Sequence, residues 1–166
     1  VLIAYHIARL PLGYLLLATT EKGLCAVRLG NDKKKLVTEL KKEFAAAELR
    51  ENDKNLRRWN QTLIDYLAGH KPWPLLPTDV QATAFQRRVW DWLRAIPSGT
   101  TYSYSEAAKA IGRPNAARAI ARACATNPVA LVIPCHRIVP KAGDAGGYRW
   151  GSNRKRQLLK LERVSS

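Results

Sequence analysis

Methionine is missing from all 166 residues, and the sequence starts at Val1. A piece of a longer chain is therefore expected. Cysteine is scarce: Cys25, Cys124 and Cys135 are odd in number, widely spaced and without a CxxC pair. That excludes a disulfide framework and a zinc knuckle, and it fits a reducing, intracellular setting. No apolar run approaches the ~18 residues of a membrane-crossing helix. No charged-then-apolar segment opens the chain as a secretion signal would. Acid is the other shortage. Thirteen Asp and Glu stand against 28 Lys and Arg, a formal +15.

What is present bounds the class. Apolar residues make up 46%, too many for a disordered tail and enough for one ordinary domain or two small ones. The positive charge lies mostly in the second half. Residues 1–80 carry 13 basic and 9 acidic side chains, and residues 81–166 carry 15 and 4. The second half is the one expected to meet a polyanion. Nucleic acid, a membrane surface or a merely solvated basic face would each fit. No long amphipathic helix flanked by Lys and Arg supports the membrane.

The first half reads as a small sheet with helices. Val1–Ala8, Tyr14–Thr20 and Gly23–Leu29 are expected strands separated by Pro11-Leu12-Gly13 and Glu21-Lys22-Gly23 turns. Residues 32–47 and 56–67 show helical spacing, with Gly69 as a stop for the second helix. Lys71-Pro72-Trp73-Pro74-Leu75-Leu76-Pro77 is a connector that three prolines keep from being helical. The boundary is set at 1–78 and 79–166.

Beyond it, Thr83-Ala84-Phe85-Gln86 fits a capping box that opens a helix with Phe85, Val89, Trp92, Leu93 and Ile96 on one side. Ser103-Tyr104-Ser105-Glu106 is a second box. It opens a short helix, which Gly112-Arg113-Pro114 separates from an Ala-rich helix over 115–125. The pair reads as a helix-turn-helix. Its second helix is poor in side chains that read base edges, with Arg118 the long probe among alanines. Those alanines suit close approach to a groove, and equally packing on neighbouring helices.

The chemistry concentrates at Cys135. Val129–Ile133 is an expected buried strand ending at Pro134, with Cys135-His136-Arg137 directly after it. A thiol beside an imidazole is a candidate nucleophile, and a buried structural cysteine is the plainer alternative. Cys25 and Cys124 take that plainer reading. In an extended segment neighbouring side chains point apart, so Cys135 and His136 would meet only at a turn or through a water. Glu162, the one acid of an expected basic helix from Ser152 to about Val164, could fix the imidazole tautomer. It could equally be an exposed partner for an arginine. Residues 141–151 hold four glycines and read as a mobile or close-approach loop able to wall a pocket for a flat ligand.

Ile133-Pro134-Cys135-His136-Arg137-Ile138-Val139 resembles the active-site signature of the O6-alkylguanine-DNA alkyltransferases. The resemblance runs from about Thr83 to Glu162 through Phe85-Gln86, Ile96-Pro97-Ser98-Gly99, Ser103-Tyr104, Ala117-Arg118-Ala119, Asn127-Pro128 and Gly147-Tyr148-Arg149-Trp150-Gly151. It looks most like the C-terminal part of bacterial adaptive-response members, whose N-terminal part is a zinc-binding regulator.

The resemblance implies an α+β fold: a small ribonuclease H-like α/β subdomain and a mostly helical, winged-helix-like domain. It implies direct repair by one irreversible alkyl transfer from O6-alkylguanine, and from O4-alkylthymine as a further substrate, after the base is flipped out. The acceptor would be Cys135 and the water-mediated base His136, with Glu162 behind it. Asn127 would order the turns, and Tyr104 would sit at guanine N3. Arg118 would fill the gap, with Ser103, Ala117 and Ala119 along the DNA. Tyr148, Arg149, Pro134 and Ile138 would form the pocket.

No cofactor and no metal are implied, because the zinc ligands of some members have no counterpart here. The partner would be duplex DNA carrying alkylated bases, bound without sequence preference by a monomer in the bacterial cytoplasm, at the nucleoid. A non-enzymatic helix-turn-helix module, a regulator or lesion sensor, is the alternative. Relatives of that kind carry Trp in place of the cysteine, which Cys135 argues against.

Overall fold

Leu15, Leu16, Leu17 and Ala18 are all inaccessible to solvent, as in a strand buried on both faces. In the computed structural model, which describes residues 1–51, 54–68, 75–141 and 145–165, they form the middle of a sheet. Strands β1 (Leu2–Leu10), β2 (Gly13–Thr20) and β3 (Gly23–Gly30) make an antiparallel meander. Two-residue turns join them, since Leu10 pairs with Gly13 and Thr20 with Gly23.

The sheet has four strands where the sequence suggested three. β4 (Glu48–Glu51) adds parallel to β1, giving the order β3-β2-β1-β4. Its Glu-Leu-Arg-Glu sequence is too short and polar to show period-two patterning.

Helix α1 (Lys33–Glu43) starts at an Asp32 cap that accepts from Lys34 and Lys35 N–H groups. It stops at Phe44, short of the expected Ala47, because the chain must turn to feed β4; Glu48 N–H bonds to Val1 O. Its Leu36 and Leu40 pack with Ile3, Leu16, Ala18, Cys25 and Ala26. Helix α2 (Lys54–Leu67) packs on β1 and β2 and brings Asn60 to His6 at 2.6 Å. Ile3 and His6 differ in parity along β1, so α1 and α2 cover opposite faces. The Gly69 stop and residues 71–74 of the connector lie outside the described residues.

The chain forms two compact units. The first is Val1–Val80 with Pro128–Val132, and the second is Gln81–Asn127 with Ile133–Ser166. In the first, Val27 N–H bonds to Pro128 O and Ala130 N–H to Val27 O. The expected strand over 129–133 is therefore one isolated bridge, Val27 to Val129, followed by a turn. Leu131 has φ +69° there, and Val132 N–H closes back on Ala130 O at 2.7 Å. The apolar run reports burial, which is real, and periodicity cannot separate that from a ladder.

In the second unit, α3 (Ala84–Arg94) and α4 (Tyr104–Ala110) both begin at complete capping boxes, Thr83 with Gln86 and Ser103 with Glu106. Gly112, at φ +78°, turns the chain toward α5 (Ala117–Ala125), which completes the helix-turn-helix. α5 starts two residues later than the Ala-rich run, with no side-chain cap. Trp90 of α3 donates its indole N–H to Ala123 O at 3.0 Å, anchoring α3 on α5. Cys135–Arg137 is one 3₁₀ turn. Short strands β5 (Tyr102–Ser103) and β6 (Ile138–Val139) pair in parallel, and α6 (Ser152–Ser165) closes the unit.

Candidate active site

The turn that carries Cys135 is built by its neighbours. Cys135 N–H bonds to Ile133 O at 2.8 Å and Arg137 N–H to Pro134 O at 3.0 Å. Asn127, fully buried, donates its amide N–H to Ile133 O at 2.8 Å and to the Cys135 sulfur at 3.3 Å. It thereby holds the two ends of the 128–132 excursion together. Its own carbonyl accepts from Arg149 at 2.6 Å. The turn also removes the extended geometry assumed for Cys135 and His136.

Behind the thiol lies a buried charge cluster. His136 Nε2 meets Glu162 Oε2 at 3.0 Å, and Arg137 Nη2 donates to the same oxygen at 2.6 Å. Arg137 Nε donates to Glu162 Oε1 at 3.0 Å, and Nη1 to Ile96 O at 2.6 Å. Burial pushes the Glu162 carboxyl up, but His136 and Arg137 outweigh it and hold the carboxyl well below the usual range. Burial lowers His136 despite Glu162, with Arg137 and Lys155 reinforcing it. The two directions fit an ionised Glu162–Arg137 pair beside a neutral imidazole. With Nε2–H given to the carboxylate, Nδ1 is the nitrogen that can take a proton.

Burial also pushes the Cys135 thiol well up, as does Cys124, while the Asn127 amide and the Lys155 charge pull it down. Lys155 is itself buried; it donates to Gly147 O at 3.1 Å and lies 5.9 Å from the Tyr104 ring centroid. Tyr104 is raised by burial and then by Cys124 and Cys135, which keeps its hydroxyl a donor. The Tyr148 hydroxyl is buried and makes no hydrogen bond among the described residues. Gly146, at φ +81°, lets the loop close on Pro140, which a Cβ there would approach to 2.7 Å.

A cavity of about 450 Å³ opens beside the sulfur, within the size range of small-molecule sites. Tyr104, Cys124, Cys135, Gly147, Tyr148 and Arg149 line it, with Ala121 and Ala125 of α5. So Cys135, Tyr104, Tyr148 and Arg149 converge on one space, and Asn127, His136 and Glu162 lie behind it. Pro134 and Ile138 are buried but do not line the cavity. Ser103 is buried at the α4 cap; Arg118 is exposed on α5, between half-buried Ala117 and Ala119.

Three contributors were not singled out from the sequence. Arg137 stood in the quoted signature, and a lone buried acid calls for such a partner. Lys155 precedes Glu162 by seven residues, two helical turns on one face. Cys124, read as merely structural, shares the helical stripe of Ala121 and Ala125 that faces the cavity.

A family profile described as 6-O-methylguanine DNA methyltransferase, ribonuclease-like domain, matches residues 3–79, and its DNA binding domain counterpart matches residues 84–164. The bifunctional transcriptional activator/DNA repair enzyme Ada of Escherichia coli is 45% identical over 96% of this chain; the chain spans only 45% of that protein. A methylated-DNA--protein-cysteine methyltransferase of Methanosarcina acetivorans is 38% identical over 95% of this chain and 97% of its own length. The crystal structure of Mycobacterium tuberculosis OGT in complex with DNA superposes with a TM-score of 0.83 at 34% identity, covering 98% of this chain and 94% of that one. Sequence and fold, each over nearly the whole chain, thus agree that it belongs to the 6-O-methylguanine DNA methyltransferase family.

Proposed function

We propose that the chain repairs alkylated DNA directly, by moving the alkyl group of O6-alkylguanine onto Cys135. The observation that carries this is a thiol at the wall of a cavity of about 450 Å³, backed by a neutral imidazole and its ionised carboxylate. The thiol proton passes through a water to His136 Nδ1. The sulfur attacks the alkyl carbon, the carbon–oxygen bond breaks, and its electron pair leaves on guanine. Tyr104 donates at guanine N3 and offsets that charge, and the Tyr148 hydroxyl, from the wall of the same cavity, donates to O6. The thioether product has no leaving path, so each molecule acts once.

Duplex DNA is the proposed partner, met through α4 and α5 of a monomer acting at the bacterial nucleoid. The Ala-rich α5 suits a search independent of sequence, and affinity that falls steeply with salt is expected for contacts made mainly to phosphates. Extruding the base costs a few kcal/mol, roughly, which phosphate contacts and Arg118 in the vacated gap help to offset.

Intact mass after incubation with a duplex carrying O6-methylguanine tests the reading. The expected gain is one CH2, mapped to Cys135. A folded protein of unchanged mass rejects transfer and leaves a binding module.

Arg118 supplies a separate check. Arg118→Ala is expected to weaken lesion-DNA binding about tenfold, or ~1.4 kcal/mol. It should leave thermal stability within about ±0.5 kcal/mol, because the side chain is exposed. Titration of a lesion duplex against an undamaged one measures it, and equal loss on both would demote Arg118 to a phosphate contact.

A further inference from the structure

All three cysteines are free thiols, and two of them share a wall. Cys124 comes from the last turn of α5 and Cys135 from the 3₁₀ turn, and both line the same 450 Å³ cavity. Lining one wall, the two thiols are near enough that Cys124 pushes the Cys135 thiol up. Cys124 is half-exposed and Cys135 is buried behind it. Lys155 places a positive charge that favours the Cys135 thiolate. Alkyl transfer uses only one of these thiols. Cys25 has no such company: it belongs to the other unit, packs in the sheet core, and burial pushes its thiol up to about 11.

We propose that Cys124 and Cys135 are an oxidative modification site, closing to an intramolecular disulfide when a hydroperoxide enters the cavity. One thiolate attacks the distal peroxide oxygen, the O–O bond breaks, and a sulfenic acid forms while the other oxygen leaves as alcohol or water. The second thiol then attacks that sulfur, the S–O bond breaks, and the oxygen departs as water. In sum, two thiols and one hydroperoxide give one disulfide, one alcohol or water and one water. The two sulfurs are oxidised by one electron each, and the two peroxide oxygens are reduced.

The pairing has two consequences. Cys135 is kept from the irreversible sulfinic acid, because a resolving thiol lines the same cavity. The bond also ties α5 to the acceptor turn, so the acceptor is masked until a dithiol reduces it. That second consequence rests on the alkyl-transfer reading; the disulfide does not.

The test is direct, because Ala123–Arg137 is a single tryptic peptide holding both residues. Reduced protein, in the parent and in a Cys25→Ala background, is treated with equimolar hydrogen peroxide, blocked with iodoacetamide and digested. The expected peptide is lighter by two hydrogens and carries no label, and dithiothreitol restores both label sites. In Cys124→Ala and Cys124→Ser, the same treatment should leave Cys135 as a dimedone-reactive sulfenic acid that advances to sulfinic acid and is not recovered. The proposal is overturned if the parent peptide shows sulfinic acid on Cys135 at the same rate as the Cys124 variants. It is equally overturned if both thiols still take label while other residues of the folded protein are oxidised. Because the readout is a peptide mass, a protein inert on O6-methylguanine could still pass, and an active one could still fail.

Discussion

Cys135→Ala is expected to bind lesion-containing duplex with the parent's affinity and to transfer nothing. The sulfur is the only atom lost, and the residue is 3% exposed, so the exposed surface of α4 and α5 is untouched. Asn127 loses its 3.3 Å contact to sulfur but keeps the 2.8 Å bond to Ile133 O that closes the turn. A small cavity replaces the sulfur, at a cost of order 1 kcal/mol. Catalysis falls further than stability, because the attacking electron pair is lost with the sulfur.

The neighbouring Cys124 makes the outcome informative. It lines the same cavity, so residual mass gain mapped to Cys124 in the variant would show that the pocket, and not one sulfur, selects the acceptor. No gain with retained binding assigns the chemistry to Cys135. Loss of binding as well would mean that the turn had collapsed, and circular dichroism of the variant separates that case.

Much of this site was legible because its signals are local. Both capping boxes, Thr83 with Gln86 and Ser103 with Glu106, lie within four residues and formed as expected. The two-residue hairpins of the first unit are equally local. What escaped depends on distant partners. β4 becomes a strand only because β1 offers it an edge. Val129–Ile133 is held by Val27 and turns at Leu131 instead of extending. Cys124 is unremarkable in an alanine-rich helix until the 3₁₀ turn brings Cys135 to the same cavity. Glu162 could have been a surface acid. Arg137 and His136, 25 and 26 residues away, decide that it is a buried one.

Arg137→Ala is expected to be the most damaging single change to the fold of the second unit. Arg137 is fully buried, and Glu162 is 4% exposed. Removing the guanidinium strands the carboxylate and breaks the bond to Ile96 O. Breaking a buried pair by deleting one partner costs about 3–5 kcal/mol. Urea unfolding followed by hydrogen exchange of α3 and α6 amides would read it. Arg137→Ala combined with Glu162→Gln should recover part of the loss, because the stranded carboxylate is then neutral.

The pH dependence gives a sharper readout. Glu162 is held below its ordinary value of 4.5, so its contribution is fully present above about 4.5 and is lost as pH falls through the lower folded value. Without Arg137 that folded value rises, and acid unfolding begins at higher pH. His136 moves in the same direction. Burial and Arg137 both lower it from 6.5, and Glu162 raises it. Deleting Arg137 removes one of the two cations that lower it, so the imidazole binds its proton more tightly. A protonated imidazole cannot take the thiol proton, and the acid limb of the transfer rate therefore shifts to higher pH. Damage to packing alone would lower the fraction of folded protein and leave that limb where it was. A limb that stays fixed in single-turnover rates of the folded variant would mean that His136 is not the base.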